Sequence, residues 1–384
     1  MSVKVHVIEN LSSLEAIAPA WQVLDEQTFP RLPFTGPHWN LLWWKHFAEK
    51  RRTVADRIQS FVVFDGDQLL AVAPMMLTER PATGPLRARH LQFFGADPNV
   101  TEVRGLCCRR YDEGRVLDAI LSDLEARARD WDWVELSGFA EHGPAHEAIA
   151  TRTPLIWTRQ VPDFLIEPGC DWEVFKQGLP RNLKEAIRKC YTTLRRDNLQ
   201  YEFRVTEQAA EMEARLETFF ELHSLRAHAP ITPNHADVFA SLAARRFLRE
   251  YLSRVSRLGS ARLFELLVEG QVVASQIGFV LGDHLYLYFS GYHPKMSKYS
   301  VMTTCKVEAI KWAIRQGIKN INLSTGRDQS KIRWRPMEVS LMEAQWLSPS
   351  WRGRVSHRFV HAMKKGMVSD VLGSFTRTIH RDDQ

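Results

Sequence analysis

Alternating apolar and polar positions predict three β-strands between residues 261 and 292. The first two apolar runs, 261–269 and 271–281, meet at Glu269-Gly270, a step that favours a tight hairpin turn. The third run, 284–292, alternates with period two, so tyrosines and one serine share one face while leucine and phenylalanine share the other. We expect the second face to pack in the core and the first to carry a row of phenols.

The segment after these strands predicts a helix and one further strand. Apolar residues recur at helical spacing from Val301 to Gln316, Ser300 stands at the N-cap position, and Gly317 supplies a left-handed stop. A short strand follows from Asn320 to Leu323. Three antiparallel strands, a crossover helix and one strand beside them are not the strand order of a dinucleotide-binding fold.

The same order of elements recurs in the first part of the chain. Apolar runs at 58–64 and 69–77 flank Asp65-Gly66-Asp67, which is a strong hairpin signal. Further strands are expected at 90–94, 103–107 and 133–136, with a helix at 116–129. Because this order of strands, helix and strand appears twice, roughly 190 to 200 residues apart, it indicates a duplicated unit. The first copy shows no polar cluster at a strand end, so we expect it to be a scaffold.

This repeat predicts an α/β fold of two tandem halves with mixed, largely antiparallel sheets. We place the first half at residues 1–165, the second at 166–347 and a basic tail at 348–384. A length of 384 residues agrees with two domains of ordinary size.

Composition and charge narrow the classes of partner. A net charge of +6 and a pI near 9.1 favour anionic partners, of which CoA phosphates, nucleic acid and acidic lipid fit equally well. The five scattered cysteines form neither a disulfide framework nor a zinc pattern, so no metal is expected. No apolar run reaches the roughly 20 residues that a membrane-spanning helix needs. Since the start also lacks a secretion signal, we expect a cytoplasmic protein.

Two helices in the middle of the chain carry candidate functional residues. The helix from Pro180 to about Asn198 has an apolar stripe and a basic side that begins at Arg181. This basic side is either a solvated surface or a wall that attracts phosphates or an anionic polymer. In the helix 207–227, His223 and Arg226 lie one turn apart on nearly the same face. The histidine is either a structural residue or a group that binds or deprotonates an acceptor.

The tail after Ser348-Pro349-Ser350 predicts a basic amphipathic helix. Trp351, Val355, Phe359 and Met363 follow at steps of four, with arginines and lysines between them. Such a helix either packs on its own protein or lies on an anionic membrane surface.

Several motifs together resemble one known family. The chain looks like the bacterial cellulose-biosynthesis acetyltransferases (CelD/BcsL-like), a branch of the GNAT acyltransferases similar in architecture to the Fem-type tandem proteins. The motifs that carry the resemblance are Pro33-Phe34, Trp39, Trp43-Trp44, Leu179-Pro180-Arg181-Asn182-Leu183 with Arg188, Phe219 to Arg226, Gln271-Val272-Val273-Ala274-Ser275, Gly291-Tyr292, Gly317, Gly326, Lys331 and Trp334. The resemblance implies two GNAT-like halves and an acyl group transferred from acetyl-CoA or another acyl-CoA.

An acyltransferase of this fold needs donors for the developing oxyanion and for the pyrophosphate of CoA. We expect the backbone N–H groups near Ser290 and Gly291 to serve the oxyanion. The first amides of the helix, at Val301 and Met302 after Ser300, would hold the pyrophosphate. Lys298 would add a cation at the entrance.

Acyl transfer to an amine or a hydroxyl also needs a base and gains from an acid. The candidates are His223, Tyr288, Tyr292 and Lys331. Acceptor binding is assigned to the polar residues Arg181, Arg226 and Asn322. The acceptor implied is a sugar, lipid or cell-envelope precursor, and the process implied is polysaccharide biosynthesis.

Two alternatives stay open beside this reading. One is a Fem-type transferase that uses aminoacyl-tRNA, whose phosphates would contact the basic helix at Arg181. The other is a non-catalytic accessory protein of polysaccharide production, with the tail docked peripherally on the inner membrane. No nucleophile elbow, P-loop or zinc-protease motif competes with these three hypotheses.

Overall fold

A computed structural model describes residues 3–83, 87–97, 99–230, 236–358, 360 and 362. The elements up to residue 166 are β1 (Lys4–Ile8), α1 (Leu11–Ala16), α2 (Ala18–Asp25), α3 (Pro37–Phe47), β2 (Lys50–Arg51), β3 (Val54–Ile58), β4 (Ser60–Asp65), β5 (Gln68–Ala73), β6 (Met75–Arg80), β7 (Ala88–Phe93), β8 (Cys107–Cys108), α4 (Glu113–Ala126), β9 (Trp133–Ala140), α5 (Pro144–Ala150) and β10 (Leu155–Ile166).

The later elements are α6 (Trp172–Gly178), α7 (Arg181–Arg196), β11 (Tyr201–Thr206), α8 (Ala209–Ala227), α9 (Leu242–Arg257), β12 (Ala261–Val268), β13 (Gln271–Leu281), β14 (His284–Tyr292), α10 (Val301–Arg315), β15 (Asn320–Thr325), α11 (Gln329–Ile332) and β16 (Met337–Leu347). Single 3₁₀ turns stand at Val238–Ala240 and Pro294–Tyr299. Residues 351–358 form a last helix.

Twelve strands form one sheet that runs through both halves. Their order is β11-β12-β13-β14-β15-β10-β16-β9-β7-β6-β3-β2, and a smaller sheet has the order β1-β4-β5-β8. Within the large sheet, β14 pairs with β15 and β7 with β9 in parallel, whereas the other recorded pairs are antiparallel. Helix α10 connects the first parallel pair and α4 lies between the strands of the second. The two halves therefore have corresponding builds, and the predicted fold class is confirmed.

β10 and β16 join the halves at the centre of the sheet. β10 pairs with β15 on one side and β16 on the other, and β16 in turn pairs with β9. The predicted boundary between residues 165 and 166 falls at the end of β10 and stays a prediction.

Both faces of β14 are buried, which differs from the expected row of accessible phenols. Leu285 and Leu287 pack with α7 and α10, as predicted. Tyr286 and Tyr288 are only 1% and 3% exposed, because α3, α8 and α9 cover their face. The ring of Tyr288 lies 6.0 Å from that of Trp39, so aromatic residues of the first half complete the core of the second.

Some predicted boundaries moved for local reasons. The run 69–77 is two strands, β5 and β6, separated by Pro74, whose missing N–H interrupts a strand. The strand expected at 103–107 is reduced to β8. Gly317 has a φ of 72° and ends α10, as predicted.

The tail packs through a different face from the one its apolar stripe indicated. In the 351–358 helix, Gly353 and His357 are buried, while Trp351 and Val355 are exposed. Phe359 and residues 363–384, which include Met363, lie outside the described residues. Among the helices in the described ranges, none has the length and apolar character needed to cross a bilayer.

Replacing Gly291 with alanine should destabilise the fold. A Cβ at this position would lie 2.3 Å from the His223 backbone nitrogen, so α8 would have to move away from β14. We expect a loss of about 1–3 kcal/mol in the free energy of unfolding, measured by urea denaturation. Gly178→Ala is the matched control, since no atom lies within 4 Å of the added Cβ. Equal stabilities of the two variants would contradict the close packing of α8 on β14.

Candidate active site

A gap opens where β14 and β15 part. The two strands pair in parallel only from His284 opposite Asn320 to Tyr286 opposite Asn322. β14 continues to Tyr292 and β15 to Thr325 without further recorded pairing between them. Backbone groups on the facing edges are therefore available to a ligand. The gap lies beside Ser290 and Gly291, where main-chain donors for an oxyanion are expected from the sequence.

Two adjacent cavities occupy this gap. The outer cavity is lined by the end of β14, the start of α10 and α11. The inner cavity is lined by the loop at Glu102, the end of α8 and the turn after β15. The residues that line both cavities are Arg226, Ser290, Lys306, Arg327, Asp328 and Ser330. The two cavities therefore lie side by side around these residues.

The start of α10 makes the outer cavity suitable for an anion. Ser300 has a φ of 53°, and its carbonyl oxygen accepts the N–H groups of Thr303 and Thr304 at 2.8 and 3.1 Å. The amides of Val301 and Met302 precede these bonds, at the positive end of a 15-residue helix. Arg333 donates from Nη2 to the Thr303 hydroxyl at 2.9 Å, which holds a guanidinium beside the helix start. Free helix amides and a guanidinium are groups that can bind a phosphate.

Ser300 acts through its backbone rather than its side chain. It occupies the N-cap position, but its side chain makes no capping hydrogen bond. Its left-handed conformation turns the chain sharply into α10, a turn that glycine adopts most readily. The cap expected from the sequence is therefore corrected.

Two predicted cations lie away from both cavities. Lys298 is 3.7 Å from a carboxylate oxygen of Asp197 and lies over the ring of Tyr299. Arg181 is 91% exposed and pairs with Glu185 at 2.9 Å. The basic groups that line the outer cavity are Arg226, Lys306, Arg327 and Arg333.

His223 and Arg226 lie on the same face of α8, as the sequence predicted, and both contact Ser290. Arg226 Nη1 lies 2.7 Å from the Ser290 hydroxyl and 3.2 Å from its carbonyl oxygen. His223 Nδ1 is 3.2 Å from the same carbonyl, which can only accept, so Nδ1 carries the proton in this contact. Burial lowers the pKa of His223 from its ordinary value, which favours the neutral ring.

Only one of the two predicted oxyanion amides can face the gap. In an antiparallel ladder, consecutive N–H groups point to opposite sides of the strand. His293 N donates to Val273 O of β13, so the Gly291 amide, two residues earlier, also points towards β13. The Ser290 amide points the other way, towards the gap. Gly291 contributes by letting α8 approach closely.

A carboxyl group from the first half enters the inner cavity. Glu102 accepts a hydrogen bond from the Tyr286 hydroxyl and lies near Ser324 and Lys331. Burial raises its pKa to about 7, against an ordinary 4.5, although these neighbours oppose the rise. At neutral pH this carboxyl can therefore both hold and release a proton.

A second buried carboxyl supports the floor of the gap. Burial raises the pKa of Asp163 to about 6. Asn322 donates to it at 2.6 Å, and the Asn322 side-chain oxygen accepts the Ser324 amide at 2.7 Å. These bonds engage the Asn322 side chain, and Asn322 lines neither cavity. Its predicted role in acceptor binding is therefore corrected: Asn322 positions Asp163 and Ser324.

Two lysines approach the groove in different ways. Lys306 lines both cavities, and burial together with Lys331 and Arg333 lowers its pKa to about 7. Lys331, a predicted catalytic residue, donates to the carbonyls of Thr325 and Gly326 and holds the turn after β15.

The two predicted tyrosines differ in their surroundings. Tyr288 donates from its hydroxyl to the Val100 carbonyl at 2.5 Å, and burial raises its pKa well above the ordinary value. Tyr288 lines the inner cavity, but its side chain is buried in the hydrophobic core. Tyr292 lines the outer cavity and is half-buried.

The sequence did not identify Glu102, Lys306, Asp163 or Arg333. The sequence held a signal for Lys306, because this charged residue stands directly between the apolar residues Cys305 and Val307 in α10. Glu102 had none, since it lies in an irregular loop and meets its partner Tyr286 across 184 positions of the chain.

The proton on Glu102 should be visible in the pH dependence of stability. Between pH 4.5 and 7 the unfolded chain loses this proton while the folded chain keeps it, so stability falls as the pH rises. Glu102→Gln removes this loss, and we expect the variant to gain about 1–3 kcal/mol relative to the native chain between pH 5 and pH 8. Urea denaturation at both pH values measures it. A constant difference between the two proteins would contradict a raised pKa.

Comparisons with known proteins agree with this geometry. Residues 181–331, which include β14, α10 and β15, match the model of the acetyltransferase (GNAT) domain. The sequence finds no match among curated proteins.

Two solved structures resemble the fold over most of the chain. The crystal structure of FemX has a TM-score of 0.59 at 9% identity and covers 90% of this chain and 97% of its own. The C-terminal domain (DUF2156) of a putative lysylphosphatidylglycerol synthetase from Agrobacterium fabrum has a TM-score of 0.50 at 10% identity, with coverages of 92% and 96%. At these identities the likeness shows the fold alone. Residues 181–331 are thus similar to an acetyltransferase (GNAT) domain, within an α/β fold that resembles that of FemX.

Proposed function

We propose that the protein transfers an acetyl or longer acyl group from CoA to an amine or hydroxyl of a sugar, lipid or cell-envelope precursor. The observation that carries this proposal is the gap between β14 and β15, which opens beside the first amides of α10. The match of residues 181–331 to the acetyltransferase (GNAT) domain model, which spans these elements, supports the proposal. The gap joins a basic outer cavity to an inner cavity with a buried carboxyl, as two-substrate transfer requires.

The outer cavity fits the acyl donor. The amides of Val301 and Met302 can bind the pyrophosphate, and Arg333 adds a guanidinium beside them. The Ser290 amide faces the position where a thioester carbonyl would lie between the two cavities. A donor held there gains hydrogen bonds as negative charge develops on that oxygen.

The inner cavity fits the acceptor, with Glu102 as its base. The acceptor lone pair attacks the thioester carbon, its proton passes to Glu102, and the C–S bond breaks to release the CoA thiolate. Lys306 lines both cavities, and with a pKa of about 7 its protonated form can give the thiolate a proton. His223 and Arg226 support this centre by holding Ser290.

One observation favours a second candidate, the Fem-type transfer from aminoacyl-tRNA. A groove beside α7, separate from the two cavities, is lined by Arg181, Lys184, Arg188, Arg195 and Lys311. Arg188 and Arg195 have no recorded carboxylate partner within the described ranges. A row of such cations suits a phosphate backbone. The accessory role in polysaccharide production and the cytoplasmic location remain predictions.

Acetyl-CoA should bind and stabilise the native chain, and Arg333→Ala should weaken that binding about tenfold. The reason is the loss of one guanidinium beside the start of α10. Isothermal titration gives the affinities, and the melting temperature should rise with ligand concentration by mass action.

The control is Arg51→Ala, an exposed arginine of the first half. Absence of any acetyl-CoA binding by the native chain would contradict the proposal. If tRNA is then retained with a steep dependence on salt, the Fem-type alternative gains support.

Glu102→Gln should lower CoA release from acetyl-CoA by about 10²–10⁴ in the presence of an accepted amine or alcohol. Glutamine keeps an acceptor for Tyr286 but cannot take the proton. The native rate should rise through a pH near 7, and the variant should lose this limb.

Acetyl-CoA affinity should stay the same in Glu102→Gln, which separates proton transfer from donor binding. Glu173→Gln on α6 is the matched control, because its side chain is 65% exposed and pairs only with Lys176 in the described part of the chain. A native pH profile retained by Glu102→Gln would exclude Glu102 as the base.

A further inference from the structure

The 351–358 helix is held on the protein by one of its faces. A Cβ on Gly353 would lie 2.6 Å from the Asp132 carbonyl oxygen, so the helix backbone touches the loop before β9. His357 Nε2 lies 2.7 Å from Gln345 Oε1, and the His357 ring meets Trp133 edge to face at 5.5 Å. Val360 is 6% exposed. These contacts fix which side of the helix faces away from the protein.

The outward side of the helix combines apolar and cationic groups. Trp351 is 74% exposed and Val355 is 57% exposed. Arg354 and Arg358 are exposed on the same side, and neither has a recorded ion pair in the described part of the chain. A tryptophan this accessible, one turn from a valine, is unusual on a surface that only meets water.

The strand beside the helix extends this apolar surface. Ile156 of β10 pairs directly with Gln345 of β16, the residue that holds His357. Residues directly opposite each other project from the same face of a sheet, so Ile156 lies on the face that carries the helix. Its side chain is 42% exposed.

Along the sequence, the residues in and around this helix carry charge of one sign. Residues 344–369 contain five lysines and arginines and no aspartate or glutamate. Among these basic residues, Arg352 contacts the protein itself, because it lies 3.6 Å from Asp132 and donates to the Arg87 carbonyl. It anchors the helix, which leaves Arg354 and Arg358 to face a partner.

We propose that Trp351, Arg354, Val355, Arg358 and Ile156 form a docking surface for an anionic lipid bilayer. Tryptophan suits the boundary between headgroups and acyl chains, because its ring is apolar and its N–H is polar. Arginines beside it attract anionic headgroups. A stable protein interface needs about 800 Å² from each partner, which five side chains do not supply.

The docking surface also has a fixed relation to the active site. Gln345 pairs with Glu135 of β9, so both lie on the sheet face that carries the helix. Arg104, two residues from Glu102, contacts Glu135 through Nη2 at 2.5 Å. The docking surface and the loop that delivers Glu102 therefore share one face of the sheet. The inference is independent of the proposed acyl transfer and holds with any chemistry in the groove.

Vesicle co-sedimentation of the full chain tests this inference. Pure phosphatidylcholine vesicles are compared with vesicles in which phosphatidylglycerol replaces about a third of the lipid. We expect binding to the anionic vesicles alone, a blue shift of tryptophan fluorescence on binding, and binding that weakens with salt. The double variants Trp351→Ala/Val355→Ser and Arg354→Glu/Arg358→Glu should each bind at least tenfold more weakly.

Matched controls exclude a general effect of charge or exposure. Arg51→Glu/Arg196→Glu makes the same change in charge at two arginines that are 66% and 71% exposed elsewhere. Tyr111→Ala removes an aromatic side chain that is 76% exposed. Both should bind anionic vesicles as the native chain does. The proposal is overturned if the native chain ignores anionic vesicles, if the controls lose as much binding, or if Trp351→Ala/Val355→Ser instead abolishes self-association in sedimentation.

Discussion

The site depends on two parallel strands that stop pairing. β14 and β15 share three residue pairs, and beyond Tyr286 and Asn322 each continues alone. Parting a parallel pair leaves backbone donors and acceptors without partners, which is costly unless other groups satisfy them. Here α8 contacts the free end of β14 through Ser290, while the Ser290 amide stays directed towards the gap. The packing of α8 on β14 thus holds the gap open, and the Ser290 amide stays available to a ligand.

Both halves of the chain are needed to complete this opening. β10 and β16 carry one sheet across the boundary, and Trp39 from the first half packs against Tyr288 of the second. The same continuity brings Glu102 to Tyr286. The first half, expected from the sequence to be a scaffold, therefore also supplies a carboxyl group to the inner cavity. Burial is the main cause that raises the pKa of that carboxyl to about 7.

Local patterns in the sequence predicted the local features. Period-two runs and glycine turns predicted β12 to β14, Gly317 predicted the end of α10, and the spacing of His223 and Arg226 predicted their shared face of α8. Features that depend on long-range packing were not predictable. Lys298 was assigned to the groove because it stands near Ser300 in the sequence. In the structure it instead pairs with Asp197, the residue that follows α7. Glu102 lies in a loop without periodicity, so only the tertiary structure brings it to the site.

We propose above that main-chain donors at the gap bind the acyl donor. Amide chemical shifts of isotope-labelled protein, followed by NMR as acetyl-CoA is added, test it most directly. We expect the largest changes on the amides of Ser290, Val301 and Met302, with little change at Gly291 or along α7. Saturable changes confined to α7, with none at Ser290 and the start of α10, would contradict it.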